Sequence, residues 1–272
     1  MTIKTLDTVP FDTLIQCFFK SFENYYVQMP QDKEYFKNRW EAANVKYDLS
    51  FGMFDGDKLV GFIIHAIDNR NGELISYNSG TGVIPEYRGK KIVKSIYDYA
   101  LNELSVKEIK KHTLEVITEN EVAIKAYKGV GFNICKKYLC FSGDLKLEND
   151  VTISLKKVDY NYFNWNSMNN QQYYSWDNHY QSLEKADFDY YLVLKNDMVQ
   201  SYFVINAENG YLAQFDLINE DATWSDLFVG IQNVNQTIRM NNVDDRLVEK
   251  VDFLNKIGLE NTINQYEMKY TL

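Results

Sequence analysis

Two tandem α/β domains, each a mixed, mostly antiparallel sheet flanked by helices, are the fold class predicted by this sequence of 272 residues. Three observations carry the prediction. Runs of β-formers alternate with stretches of helical periodicity along residues 1–143. Two hairpin-like segments recur, DLSFGMFDGDKLVGFIIHAID from Asp48 and DYYLVLKNDMVQSYFVINAEN from Asp189. The two halves also close alike, in AIKAYKGVGFNICKKYLCFSG and KVDFLNKIGLENTINQYEMKY. Each closing segment has a helical stretch, a glycine (Gly131, Gly258) able to end it left-handed, an apolar residue (Phe132, Leu259) and a β-rich run. Matches in the same order indicate a duplicated domain. Chance similarity between two hairpins is the alternative. The polar stretch SGDLKLEND places the boundary near Gly143–Asp150, giving domains 1–143 and 144–272.

The elements follow in order. Thr2–Leu6 reads as a short strand, and Phe11–Tyr26 and Lys33–Ala43 as helices. Leu49–Phe54 and Lys58–Asp68 are strands joined by Asp55-Gly56-Asp57, and Lys195-Asn196-Asp197 makes the matching turn of the second half. Glu73–Ile84 continues extended. Gly89–Leu104 is a helix, with Ile92, Ile96, Tyr97, Ala100 and Leu104 at helical spacing. Thr113–Ile117 is a strand, Glu121–Gly129 a helix and Lys136–Phe141 a last strand. In the second half, the tyrosine-rich Tyr160–Tyr180 reads as an amphipathic helix with aromatic anchors, with a stacking surface as the alternative.

Composition narrows the function. Hydrophobic residues make up 45% and charged residues 25%, a globular balance. No apolar run approaches the ~20 residues of a membrane span. The amino terminus lacks a basic-then-apolar signal pattern, and the three cysteines show no CxxC spacing, so a reducing cytoplasm is expected. Three scattered histidines offer no metal-ligand pattern, and no metal is expected. Residues 1–143 hold 19 Lys+Arg against 18 Asp+Glu, while residues 144–272 hold 10 against 20. The net charge of −9 thus resides in the second half, which would repel a nucleic-acid backbone. An anionic small ligand is expected in the first half. An acidic surface serving solubility alone is the alternative.

The most informative segment is Gly82-Val83-Ile84-Pro85-Glu86-Tyr87-Arg88-Gly89-Lys90-Lys91-Ile92-Val93. A strand runs into Pro85, then a tight polar loop, then an amphipathic helix. The first N–H groups of a helix have no intrahelical partner, and with the helix dipole they form an anion site. Gly89 permits close backbone approach, and Arg88, Lys90, Lys91 and Lys94 concentrate positive charge. Neither the P-loop nor the dinucleotide spacing is present. A strand–turn–helix with a solvated basic turn is the alternative reading.

This segment resembles the acetyl-CoA pyrophosphate loop of the GNAT acetyltransferase superfamily, [Q/R]-x-x-G-x-[G/A] after a strand ending V-x-P. Arg88 takes the first position, Lys91 stands where the family usually has glycine, and Val93 where it has glycine or alanine. A second block resembles the family's N-x-x-A-x-x-x-Y-x-x-x-G-F: Asn120, Ala123, Tyr127, Gly131 and Phe132. The resemblance covers about residues 1–143. It implies two central parallel strands, Ser79–Ile84 and Thr113–Ile117, splayed to admit the pantetheine arm. It implies that Val83 and Ile84 pair their backbone with that arm and that Arg88, Gly89, Lys90, Lys91, Ile92 and Val93 hold the pyrophosphate. Asn120 would bond the arm or support the next helix.

By the same resemblance Tyr127 lies near the cofactor sulfur and gives a proton or hydrogen bond to the departing thiolate. A packing aromatic is the alternative for it. Glu115 and Glu23 are candidate bases for the acceptor amine, and Tyr25 and Tyr26 candidate linings of its pocket. Either glutamate could equally be a surface carboxylate, and the tyrosines core packing. The second half has N-E-D-A-T-W-S-D-L-F-V-G at the place of the loop, where Glu220, Asp221 and Asp226 would repel a pyrophosphate. It is expected to be a degenerate copy. The chain is thus read as an acetyl-CoA-dependent N-acetyltransferase acting on a small-molecule or peptide amine, with no nucleic-acid or membrane partner, as monomer or homodimer. A non-catalytic CoA-responsive binding or scaffold protein of the same fold is the alternative.

Overall fold

The computed structural model describes residues 1–70, 72–148 and 152–272. In chain order the elements are β1 (Thr2–Thr5), α1 (Phe11–Ser21), α2 (Lys33–Ala42), β2 (Phe51–Asp55), β3 (Lys58–Arg70), β4 (Glu73–Val83), α3 (Ile92–Val106), β5 (Lys111–Ile117), α4 (Glu121–Val130) and β6 (Asn133–Asp144). The second half has β7 (Ser154–Val158), α5 (Tyr180–Leu183), β8 (Asp189–Lys195), β9 (Met198–Asn206), β10 (Tyr211–Leu217), α6 (Trp224–Val234), β11 (Thr237–Asp244), α7 (Val248–Lys256), β12 (Glu260–Asn261) and β13 (Gln265–Thr271). Among the described residues no helix is long and apolar enough to cross a membrane.

The chain forms two compact units, Met1–Cys135 with Tyr266–Leu272, and Lys136–Gln265. The division follows Cys135 rather than Gly143, and the end of the chain returns to the first unit. Asn149 and Asp150, at the end of the expected boundary stretch, lie outside the described residues. The reason for the return is core completion. Met268 is fully buried in the first unit's core, with Tyr266 and Tyr270 packed against it.

In the first unit the strand order is β1-β2-β3-β4-β5-β13. β4 and β5 are parallel, and the pairs from β1 to β4 are antiparallel. Helices cover both faces. Phe62 of β3 stacks on Phe18 of α1 at 5.8 Å, while a Cβ on its neighbour Gly61 would meet Ile92 of α3. Adjacent strand residues point to opposite faces, so α1 and α3 lie on opposite sides. Gly82 of β4 lets α1 approach, since a Cβ there would come within 2.6 Å of Phe62 and Ser21. α1 ends at Ser21, short of the expected Tyr26, because Asn24 turns left-handed at φ +59°.

In the second unit the order is β6-β11-β10-β9-β8-β7, with β12 on β6. Again one pair, β10 with β11, is parallel. Its core gathers Phe141, Phe203, Phe215, Leu227, Phe228 and Leu254. Tyr160–Tyr180 is not the expected helix. It forms three short turns before α5. Ser167 and Trp165 bond the carbonyls of Asn164 and Tyr160, and Asn170 sits left-handed at φ +63°. Such local side-chain bonds compete with the helix ladder.

Candidate functional site

The site of the first unit begins with a parting of strands. β4 and β5 pair from Ile75 with Lys111 to Asn78 with Leu114, and no further. Beyond that point Ser79–Val83 and Glu115–Ile117 run without mutual pairing. The cause is local. The β3–β4 register shifts between Ile64 and His65, leaving Ser79 as an extra residue in β4. Asn78 pins this bulge. Its Oδ1 accepts the Gly80 N–H at 3.0 Å, and its Nδ2 donates to Thr81 Oγ1 and Tyr97 Oη, both at 2.7 Å.

Backbone direction decides what faces the gap. The Ile84 N–H donates to Val60 O of β3 at 3.0 Å. Alternate residues of an antiparallel strand turn their polar groups to the same side, so Thr81 and Val83 direct theirs away from β3 and into the gap. This corrects the reading of Ile84, whose N–H is spent inside the sheet. It leaves Val83 facing outward. Arg88 also differs from expectation. Its Nε donates to Val83 O at 3.3 Å and its Nη2 to Ser21 O at 3.1 Å, so it ties the loop to β4 and α1.

The loop then opens a helix. α3 starts three residues later than predicted, because Gly89 at φ +76° and Lys91 at φ +58° are left-handed. The first intrahelical bond is from Ser95 N–H to Lys91 O at 3.0 Å, so the Ile92, Val93 and Lys94 N–H groups have no intrahelical acceptor. α3 has no side-chain cap and no acidic residue in its first turn. A Cβ at Gly89 would meet nothing within 4 Å, so its φ, not crowding, calls for glycine. Ile92 is buried and Val93 half-buried. Lys90 rests over the Tyr87 ring at 4.5 Å, and Lys94 pairs with Asp98 at 2.6 Å. Lys91 is exposed.

At the far side of the gap, Asn120 caps α4, its Oδ1 accepting the Ala123 N–H at 3.1 Å and its Nδ2 donating to Tyr25 Oη at 3.4 Å. Tyr127, on the same helix, is buried against Tyr97 and Phe132. Burial pushes its phenol up to about 12, against opposing hydrogen bonds from Thr81 and Asn78. It therefore stays protonated at neutral pH. Tyr25 packs on Phe22 and Tyr26, and burial raises its phenol too. Tyr26 is 51% exposed. Glu115 is half-buried at the first β5 position past the last β4 partner. Glu23 stands exposed in the turn after α1. The sequence reading missed Asn78, Thr81 and Tyr97. The signal was present: the small polar run SYNSGTG interrupts an otherwise apolar strand, as bulges do.

The second unit repeats the parting. β10 and β11 share only the pair Tyr211 with Arg239, and β10 carries a register shift at Ala213. Here the space is filled. Tyr174 Oη donates to Phe215 O at 3.0 Å, Lys250 Nζ donates to the same oxygen at 2.7 Å, and Asn178 Nδ2 donates to Asn241 O at 2.9 Å. α6 is capped by Thr223, whose Oγ1 accepts the Asp226 N–H at 3.1 Å, and the buried Asp226 pairs with Lys195 at 3.0 Å.

The comparisons with known proteins accord with this geometry. The acetyltransferase (GNAT) family matches residues 11–132. N-alpha-acetyltransferase 30 of Schizosaccharomyces pombe is 27% identical over 99 residues, 36% of this chain. The match spans 62% of that protein's length. A tandem GNAT protein from the clavulanic acid biosynthesis pathway has a TM-score of 0.71 at 8% identity, covering 99% of this chain and 98% of its own. A GCN5-related N-acetyltransferase from Sphaerobacter thermophilus has a TM-score of 0.72 at 8% identity, covering 99% and 95%. At these identities the structural likeness concerns the fold. The GNAT acetyltransferase family match nearly spans the first unit, and the tandem fold is shared with these solved structures over the whole length of the chain.

Proposed function

We propose that the first unit transfers an acetyl group from acetyl-CoA to an amine, either of a small molecule or at an amino terminus, and that the second unit binds no acetyl-CoA. The observation that carries this reading is the parted β4–β5 gap, open along Thr81 and Val83, leading to the uncapped start of α3. These features suit a long polar arm ending in a pyrophosphate. The arm's amides match outward backbone groups, and its phosphates match N–H groups at a helix start. Acetyl-CoA supplies the activated thioester.

The chain's own residues do the rest. Gly89, Lys90, Lys91, Ile92 and Val93 offer main-chain donors, and Arg88 holds the loop in place. Tyr127, kept neutral by burial, donates a proton or hydrogen bond to the leaving sulfur. Outward N–H groups of β4 polarise the carbonyl under attack. Glu115, half-buried beside the gap, suits the base better than the exposed Glu23. Tyr25 and Tyr26 border the acceptor entrance. The N-alpha-acetyltransferase among the relatives supports an amino-terminal acceptor.

Calorimetric titration of the full chain with acetyl-CoA tests this. One site per chain is expected, weakened at least a hundredfold by Gly89→Asp, which puts a carboxylate among the phosphate donors and strains a left-handed residue. Two sites would overturn the assignment to one unit, and no binding would remove the reading. Binding without acceptor-dependent thiol release across a broad amine panel would favour a CoA-responsive scaffold.

A further inference from the structure

The filled gap of the second unit has its own chemistry. Its central occupant is Lys250 of α7, 3% exposed. The closing segments of the two halves align on Gly131 and Gly258, and the same count back sets Lys250 against Ala123. The helix starts agree, Leu247 preceding α7 as Asn120 precedes α4. Where the first unit has a small side chain beside its open gap, the second has a long cationic one.

The surroundings of that cation are specific to it. The Nζ donates to Phe215 O at 2.7 Å and lies 3.3 Å from Asp216 Oδ2 and 3.5 Å from Tyr174 Oη. The rings of Phe215, Tyr174 and Trp224 stand 4.4, 5.3 and 5.5 Å from it. Three acceptors and three aromatic faces are what a primary ammonium recruits, and what a neutral chain of equal length does not use. Asp216 is itself buried, and Asn170 Nδ2 donates to it at 2.8 Å. Beside Lys250 remains a cavity of about 10 Å³, room for about one water, lined by Tyr174, Asn178, Phe215 and Asn242.

We propose that the gap of the second unit is an n-alkylammonium site occupied in cis, with Lys250 as its built-in ligand. The backbone that faces outward in the first unit is satisfied here by that side chain and by Tyr174. The site is complete without any ligand from solution. In a chain lacking the side chain it would take a primary alkylamine from solution.

The test uses the full chain and no acetyl donor, so its failure is separate from failure of the catalytic reading. Lys250→Ala removes Cγ, Cδ, Cε and Nζ, the atoms of n-propylammonium. Thermal unfolding of this variant is expected roughly 5–15 °C below the parent, since the buried Asp216 loses its cation. n-Propylammonium chloride should restore part of the loss, saturably. Sodium chloride at equal ionic strength and n-propanol should not, and the parent should not respond. Lys250→Met, which keeps the bulk, should also melt well below the parent. The proposal is overturned if Lys250→Met melts at or above the parent. It is also overturned if n-propylammonium raises the variant's midpoint no more than n-propanol does. Should Lys250→Ala fail to fold, refolding yield from denaturant with n-propylammonium against n-propanol reads the same rescue.

Discussion

The helix that follows the parallel-paired hairpin strand begins in opposite electrical states in the two units. α3 opens without a cap or an acid, on two left-handed residues and a run of cations. α6 opens on Thr223, which satisfies an N–H itself, and on the buried Asp226, which fills the positive end of the dipole from within. The gaps differ in the same sense. That of the first unit presents the backbone of Thr81 and the N–H of Val83, whose carbonyl alone is held by Arg88, and that of the second gives Phe215 O to Lys250 and Tyr174. Both units keep the parted strands and the bulge. On the reading proposed for the second unit, a fold of this kind keeps its shape while its site is retired, because unsatisfied backbone must find partners somewhere. The partners come from a ligand in one unit, as proposed, and from side chains in the other.

The most direct way to break this comparison is to move the plug. Ala123→Lys places in α4 the side chain that fills the second unit's gap. Ala123 is half-buried, so an added chain can reach solvent and the fold should survive, with a midpoint within a few degrees of the parent. Acetyl-CoA affinity by calorimetry should fall at least a hundredfold. Unchanged affinity would mean that the arm does not pass α4 and that the two gaps are not equivalent.

Tyr127 sharpens the comparison at the next level, because its counterpart in α7 is the apolar Leu254. Tyr127→Phe removes only the hydroxyl. Turnover should fall roughly a hundredfold or more, the usual contribution of a positioned proton donor, with acetyl-CoA affinity unchanged. Thiol release at saturating acetyl-CoA is the measurement. Equal loss of affinity and turnover would make Tyr127 a packing residue, as Leu254 is.

Much of this contrast is legible in the sequence. The loop around Gly89 and the Asn120–Tyr127 block are local, so their order and spacing survive in one dimension. The repeat also predicted that the second unit lacks the loop. What could not be read depends on distant partners. Nothing near Ile84 tells that its N–H goes to Val60, and nothing near Arg88 tells that it reaches Ser21. The end of the chain joins the first unit because Met268 completes a core more than a hundred residues upstream. In the aromatic run Tyr160–Tyr180 the asparagines dictate turns in place of a helix, and Tyr174 reaches Phe215 O of a distant strand.

The smallest expected effect concerns Lys91, where the family usually has glycine. It adopts φ +58° and ψ 24°, left-handed for a residue with a Cβ. That conformation costs roughly 1–2 kcal/mol for an ordinary residue, and glycine removes the cost while adding freedom to the unfolded chain. Lys91→Gly should therefore gain about 0.5–1 kcal/mol in denaturant unfolding, and Lys91→Ala should gain nothing. Affinity for acetyl-CoA decides what the lysine is for. If its charge supports the phosphates, Lys91→Gly binds a few-fold more weakly at low salt and equally at high salt, where surface charges are screened. If affinity rises at both salt concentrations, the lysine only burdens the loop, and the first unit has itself taken a step toward the condition of the second.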